Sequence, residues 1–196
     1  MNKIMFNSKY GLEQAVLEGR KTVTRRIAFD GEIKLPNTGF LTEGKERGRM
    51  VLSDGGRIVA KSNYAVGEVV AIAQAYQNVR PFYFDEWQTD QDWFKKGWNN
   101  KMFVKADLMR HHIQITNIKV ERLQDISDED CLNEGIDASN SFEIGYGVDW
   151  VYQFQNDNRS YFTPREAFAA LIDKTSGKGV WQKNPYVFVY NFVLID

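Results

Sequence analysis

The chain has 196 residues, 43% of them hydrophobic and 14% aromatic, with a formal net charge of −1. That composition supports one well-buried core and excludes a disordered chain. It also excludes a surface that is basic all over, so any contact with nucleic acid has to be local, in a patch or a pocket. A single cysteine, Cys131, leaves no internal disulfide and no cysteine-rich zinc site, as expected for a reducing cytoplasm. The N-terminal stretch MNKIMFNSKYG lacks the apolar core of a signal peptide, and no apolar run reaches the roughly 20 residues that cross a bilayer. The expected setting is therefore cytoplasmic, with no membrane partner.

In chain order, a first helix is predicted over 10–18, where Leu12, Ala15 and Val16 share one face and Gly19 supplies the stop. The basic run GRKTVTRR (19–26) follows directly. RMVLSDGGRIVAK (49–61) reads as a hairpin turning at Asp54-Gly55-Gly56, and AVGEVVAIAQAY (65–76) as a turn and a strand with Val70, Ile72 and Gln74 on one face. Residues 77–101, aromatic and charged, read as an irregular insertion or a short surface helix. HIQITNIKVERL (112–123) is a strand whose alternation shifts at Thr116-Asn117, which predicts a bulge. A short helix over 125–136 is opened by Ser127, with Asp130 three residues on, and closed by Glu134-Gly135. A second insertion, predicted as a long loop, spans 138–160. TPREAFAALIDK is a helix capped by Thr163, with Pro164 in its first turn, Glu166 completing the capping box and Phe168, Leu171 and Ile172 facing inward. NPYVFVYNFVLID closes the chain as a strand apolar on both faces, which belongs inside a sheet. Strands that mostly do not alternate with helices, plus three helices, predict a single α+β domain with a small curled sheet or barrel.

GRKTVTRR resembles the G-x-K-x-x-T-x-R signature of the ASCH domain family, in the PUA-like superfamily of small β-barrels. VGEVVAIAQ, IKVERLQDISDEDCLNEGI and AFAALIDKTSGKGVWQKNPYVFVYNF are similar to three further stretches of that family, in the same order and of the phage and bacterial type. The resemblance implies a PUA-like curled barrel with peripheral helices and loop insertions, and a cleft for RNA or a modified nucleoside or nucleotide. One bacterial branch hydrolyses N4-acetylcytidine to cytidine and acetate with a lysine, a threonine and a glutamate. By motif these fall on Lys21, Thr24 and Glu134. Arg20, Arg25, Arg26 and Gln74 are the accompanying ligand-binding candidates; Gln74 stands where many phage-type relatives carry a glutamate. A ribonuclease activity has also been attributed to an ASCH protein, and a binding module without chemistry is the alternative reading.

The residues impose their own conditions on that chemistry. Amide hydrolysis needs a nucleophile, a base and an acid for the leaving amine. Lys21 serves as base only if burial or neighbouring cations lower its pKa, and Glu134 serves as acid only in an apolar or anionic setting. Lys21 and Thr24 meet only if the chain turns after Gly19. Outside the motif, Lys21 reads as a solvated lysine, Thr24 as an ordinary strand residue and Glu134 as the exposed end of a helix. His111 and His112 are adjacent and point opposite ways on a strand, so they do not chelate one ion, and no metal or cofactor is expected. Trp150, Tyr152 and Phe154 are the candidates for stacking on a base. Cys131 lies on an acidic helix, which raises its thiol pKa. The oligomeric state stays open.

Overall fold

The structure is a computed structural model and describes residues 1–28, 41–79, 98–140 and 150–196. Strands predominate. β1 (Lys3–Ile4) leads into helix α1 (Leu12–Leu17), then β2 (Val23–Ile27), β3 (Leu41–Glu46), β4 (Arg49–Asp54), β5 (Arg57–Lys61) and β6 (Val69–Ile72). After the short helix α2 (Tyr76–Val79) come β7 (His112–Arg122), helix α3 (Asp128–Asn133), β8 (Asp137–Asn140) and β9 (Trp150–Gln153). Helices α4 (Pro164–Ser176) and α5 (Val180–Lys183) precede the last strand, β10 (Tyr186–Leu194).

The main sheet has the order β1-β6-β7-β10-β2, antiparallel except for the β1–β6 pair. β10 is interior, as its two-sided apolar sequence requires. Phe188, Tyr190 and Phe192 face a core shared with Ile4, Leu52, Ile113 and Ile118. Val187 and Val189 face a second core with Val23, Phe168 and Leu171. β3-β4-β5 form a separate antiparallel sheet that adds Met50 and Leu52 to the first core. Among the described residues the ladders do not close into a barrel: β1 and β2 are left as the edges of the five-stranded sheet.

Local signals produce local structure. Both loop residues of the β4–β5 hairpin, Gly55 and Gly56, have positive φ (54° and 83°), the conformation in which a two-residue turn matches the strands' twist. The β7–β10 register shifts where Asn117 and Ile115 face Asn191 and Phe192, so Thr116 is the extra, bulged residue. The Ser127 and Thr163 hydroxyls accept from the Asp130 and Glu166 amides, both at 3.1 Å. The predicted 138–160 loop is instead built on the β8–β9 hairpin. Most of the 77–101 insertion, residues 80–97, lies outside the described residues, as do 141–149.

Candidate functional site

The site begins at the end of α1. Gly19 adopts φ 74°, and its Cβ direction is open, so conformation and not space calls for glycine there. The turn is tied back to the helix by Gly19 N–H on the Val16 carbonyl (3.0 Å) and Lys21 N–H on the Ala15 carbonyl (2.9 Å). The Lys21 side chain therefore sets off from a fixed point, before β2 begins. It runs to the open edge of that strand and ends 2% exposed.

The Lys21 ammonium has three protons and finds three acceptors: the carbonyls of Val23 and Glu134, both at 2.8 Å, and Glu134 Oε2 at 2.5 Å. The other carboxylate oxygen, Oε1, accepts from Arg25 Nη1 at 3.3 Å. Arg25 is itself held by Glu121 Oε1, at 2.9 Å from Nε and 2.7 Å from Nη2, and by Asp130 Oδ2 at 2.5 Å. Lys119 adds a more exposed cation beside Glu121 at 2.9 Å. β7 supplies Glu121, α3 supplies Asp130 and its C-terminal cap supplies Glu134. The result is a buried chain of alternating charge on one flank of β2.

Two protonation equilibria respond. Burial pushes the Lys21 ammonium below its ordinary value; Glu134 opposes that, and Arg26 and Arg25 reinforce it. Burial also works against the Arg25 guanidinium, but Glu134, Asp130 and Glu121 outweigh it and raise its pKa. The surroundings of Glu134 are cationic on both oxygens. They are neither the apolar nor the anionic setting that a general acid needs.

A cavity of about 820 Å³ opens onto this cluster. Lys21, Thr24, Arg25, Arg26 and Glu134 all line it, so the proposed trio and two of the four ligand candidates are brought together. Thr24 is buried, and its hydroxyl makes no hydrogen bond among the described residues. Arg26 donates from Nη2 to the Met5 carbonyl at 2.6 Å and lies 5.9 Å from the centroid of the Phe6 ring. The Lys21 ammonium lies at the same distance from that ring.

The remaining candidates lie elsewhere. Arg20 is an outward residue, with its side chain 44% exposed, bridging Glu18 and Asp137. Gln74 is buried beyond the end of β6, where its side-chain Oε1 accepts from the Arg110 backbone N–H at 3.3 Å; it is not part of the cavity lining. Of the stacking candidates, Trp150 is exposed on β9, while Phe154 is a core residue set edge-on to Tyr10, 5.8 Å between centroids. None of Trp150, Tyr152 and Phe154 lines the cavity; among the described residues Phe6 and Phe168 are its aromatic residues.

Sequence reasoning missed Glu121 and Asp130 as the partners that immobilise Arg25. Asp130 was legible only as a capping residue. Glu121 shares a strand face with Lys119, a hint of a charged sheet face and no more. It also missed the lining residues Lys101 and Ser8, which both bond to Glu13: Lys101 donates to its carboxylate, and the Ser8 hydroxyl donates to it at 2.6 Å.

Against known proteins, no family model, no curated protein and no solved structure matches the chain.

Proposed function

We propose that the chain is an ASCH-type protein whose cavity binds a modified nucleoside and hydrolyses the amide of an acylated cytidine, N4-acetylcytidine being the reference substrate. One observation carries the reading: the Lys21 amine, Thr24 and Glu134 line a single cavity, with Lys21 desolvated. The volume lies within the range of about 300–1,000 Å³ usual for small-molecule sites. On this reading the five-stranded sheet and the β3-β4-β5 sheet, which share one core, are the walls of a PUA-like curled barrel.

The chemistry follows from one proton. Moving it across the 2.5 Å contact from Lys21 to Glu134 leaves a neutral amine and a carboxylic acid. The amine takes the Thr24 hydroxyl proton as the oxygen attacks the acetyl carbon; the carbon–N4 bond breaks, and Glu134 protonates the departing nitrogen. Glu134, again a carboxylate, then takes a proton from water as its oxygen attacks the threonyl ester. Thr24 leaves with the proton held on Lys21, acetate departs with its acid proton released to solvent, and the proton on Glu134 returns to Lys21. Arg25, at 3.3 Å from the other Glu134 oxygen, opposes the first transfer. Turnover therefore requires ligand entry to loosen that contact and to bring Thr24 to the amine.

A second reading has its own observation. All three Lys21 protons are already bound and both Glu134 oxygens face cations, the arrangement of a finished ion-pair cluster. That favours a module that holds the nucleoside without cutting it. Incubating purified protein with N4-acetylcytidine and following cytidine by chromatography separates the two. Hydrolysis that is lost in Thr24→Ala and Glu134→Ala supports the enzyme. Binding without release of cytidine supports the module, and neither binding nor turnover rejects both.

A further inference from the structure

Among the described residues four cations line the cavity: Lys21, Arg25, Arg26 and Lys101. Three are neutralised in place. Lys21 has Glu134, Arg25 has Glu121, Asp130 and Glu134, and Lys101 has Glu13. Arg26 alone has no carboxylate partner among the described residues. Its one hydrogen bond there goes to a neutral backbone carbonyl, so most of its five N–H donors are left over. The ring beside it, Phe6, lies equally near the Lys21 ammonium and supplies no negative charge beyond its π face. Tyr64 is no counter-ion either: it keeps its proton, since burial pushes its phenol up, and donates it to the Lys3 carbonyl at 3.0 Å.

β2 explains why this charge faces the ligand. Ala28 N–H and the Thr22 carbonyl bond to β10, and alternate residues of a strand repeat that direction, so Thr24 and Arg26 are tied to β10 by their backbone. Their side chains share one face, two residues apart, while Arg25 projects to the opposite face and its three carboxylates. The strand thus sorts its two arginines. Arg25 is spent on the protein, and Arg26 is offered beside Thr24.

We infer that the ligand carries the missing anion: the cavity takes a nucleotide, with a phosphate monoester on the ribose gripped by Arg26, in preference to the neutral nucleoside. This rests on the nucleoside reading above and adds the ligand's charge to it. A planar guanidinium with spare donors suits the paired oxygens of a phosphate, and a dianion in a partly buried site gains more from it than in water.

The test is calorimetric titration of wild type, Arg26→Gln and Arg26→Lys with N4-acetylcytidine, its 5′- and 3′-monophosphates, and inorganic phosphate. Melting curves establish that each variant is folded. The expected result is a wild-type preference of about tenfold or more for one of the monophosphates over the nucleoside. Arg26→Gln loses that preference, its affinity for the monophosphate falling about tenfold or more beyond any fall for the nucleoside, and Arg26→Lys keeps part of it. Equal affinity for nucleoside and nucleotides in wild type, or a preference that survives Arg26→Gln, overturns the inference. If no nucleoside or nucleotide binds, the nucleoside reading has failed by itself. The phosphate titration then decides the anion site: saturable binding that Arg26→Gln abolishes upholds it, and its absence rejects it.

Discussion

Replacing Glu134 by glutamine keeps the shape of the side chain and removes its charge, which makes it the sharpest probe of the buried cluster. At 2.5 Å, and with an effective dielectric of about 20, the attraction between the Lys21 ammonium and the carboxylate is about 7 kcal/mol. Most of that is consumed by the cost of taking two charges out of water, so the pair adds little net stability over two apolar residues. Breaking it is a different matter. In Glu134→Gln the Lys21 side chain, 1% exposed, stays buried without its counter-charge, and a new amide N–H₂ must face either Lys21 or Arg25, both donors. The expected cost is about 3–5 kcal/mol. Lys21→Met also destabilises, since it strips a donor from the Val23 and Glu134 carbonyls. In the double variant the stranded charge is gone, so its loss falls short of the sum of the two single losses by about 1–3 kcal/mol. Urea denaturation of the four proteins closes this cycle. Additive losses, or a Glu134→Gln variant as stable as wild type, refute the picture of a desolvated ion pair.

Further outcomes follow from the same geometry. Because burial lowers the Lys21 pKa, over the interval between that lowered value and the ordinary 10.5 the unfolded chain holds a proton that the folded one has released. Stability linked to Lys21 therefore rises with pH through that interval, and unfolding free energies of wild type should gain on those of Lys21→Met as pH is raised from neutrality. Cys131 is fully buried and its thiol is pushed up to about 12 by burial, with Asp128 adding to it. A disulfide reagent should find no reactive thiol in the folded protein at neutral pH and one in denaturant. Gln74→Glu places a carboxylate in a buried position outside the cavity lining. Denaturation should show a loss of about 1–3 kcal/mol, with ligand affinity in the cavity unchanged.

The parts of the fold that were legible in the sequence depend on neighbours a few residues away. Ser127 and Thr163 announce helix starts because a cap is a contact between residues three apart, and Gly55-Gly56 announces a hairpin because its conformation excludes most other residues there. The bulge at Thr116 showed as a break in alternation. β8 was hidden because Asp137–Asn140, DASN, has neither β-branched residues nor alternation and reads as turn chemistry; its strand state is imposed by pairing with β9. β1, two residues long, offers no pattern at all and exists through its ladder with β6. The contact between Lys21 and Glu134 spans 113 residues and has no local signature, so only the resemblance between motifs could point to it. The same resemblance was silent on which arginine is neutralised, because that depends on the face each presents to β7 and α3.

Lys21 has two jobs in this arrangement, and a single substitution separates them. Among the described residues β2 is an edge strand, and the residues whose backbone faces away from β10 leave polar groups without a ladder partner there. Lys21 satisfies one of these, the Val23 carbonyl, and ties the edge to the cap of α3 through Glu134. That alone is reason enough for a buried, charged donor at this position. A base is a different requirement, since it must be able to give up its proton. Lys21→Arg keeps the charge and the donors but holds its protons far above neutral pH. If Lys21 only secures the strand edge, Lys21→Arg should preserve both the melting temperature and any release of cytidine from N4-acetylcytidine. If it also takes the Thr24 proton, the variant should remain folded, bind the ligand and lose turnover by a factor of about 100 or more. A folded Lys21→Arg protein with wild-type turnover would remove the amine from the chemistry and leave it as a fastener of the sheet.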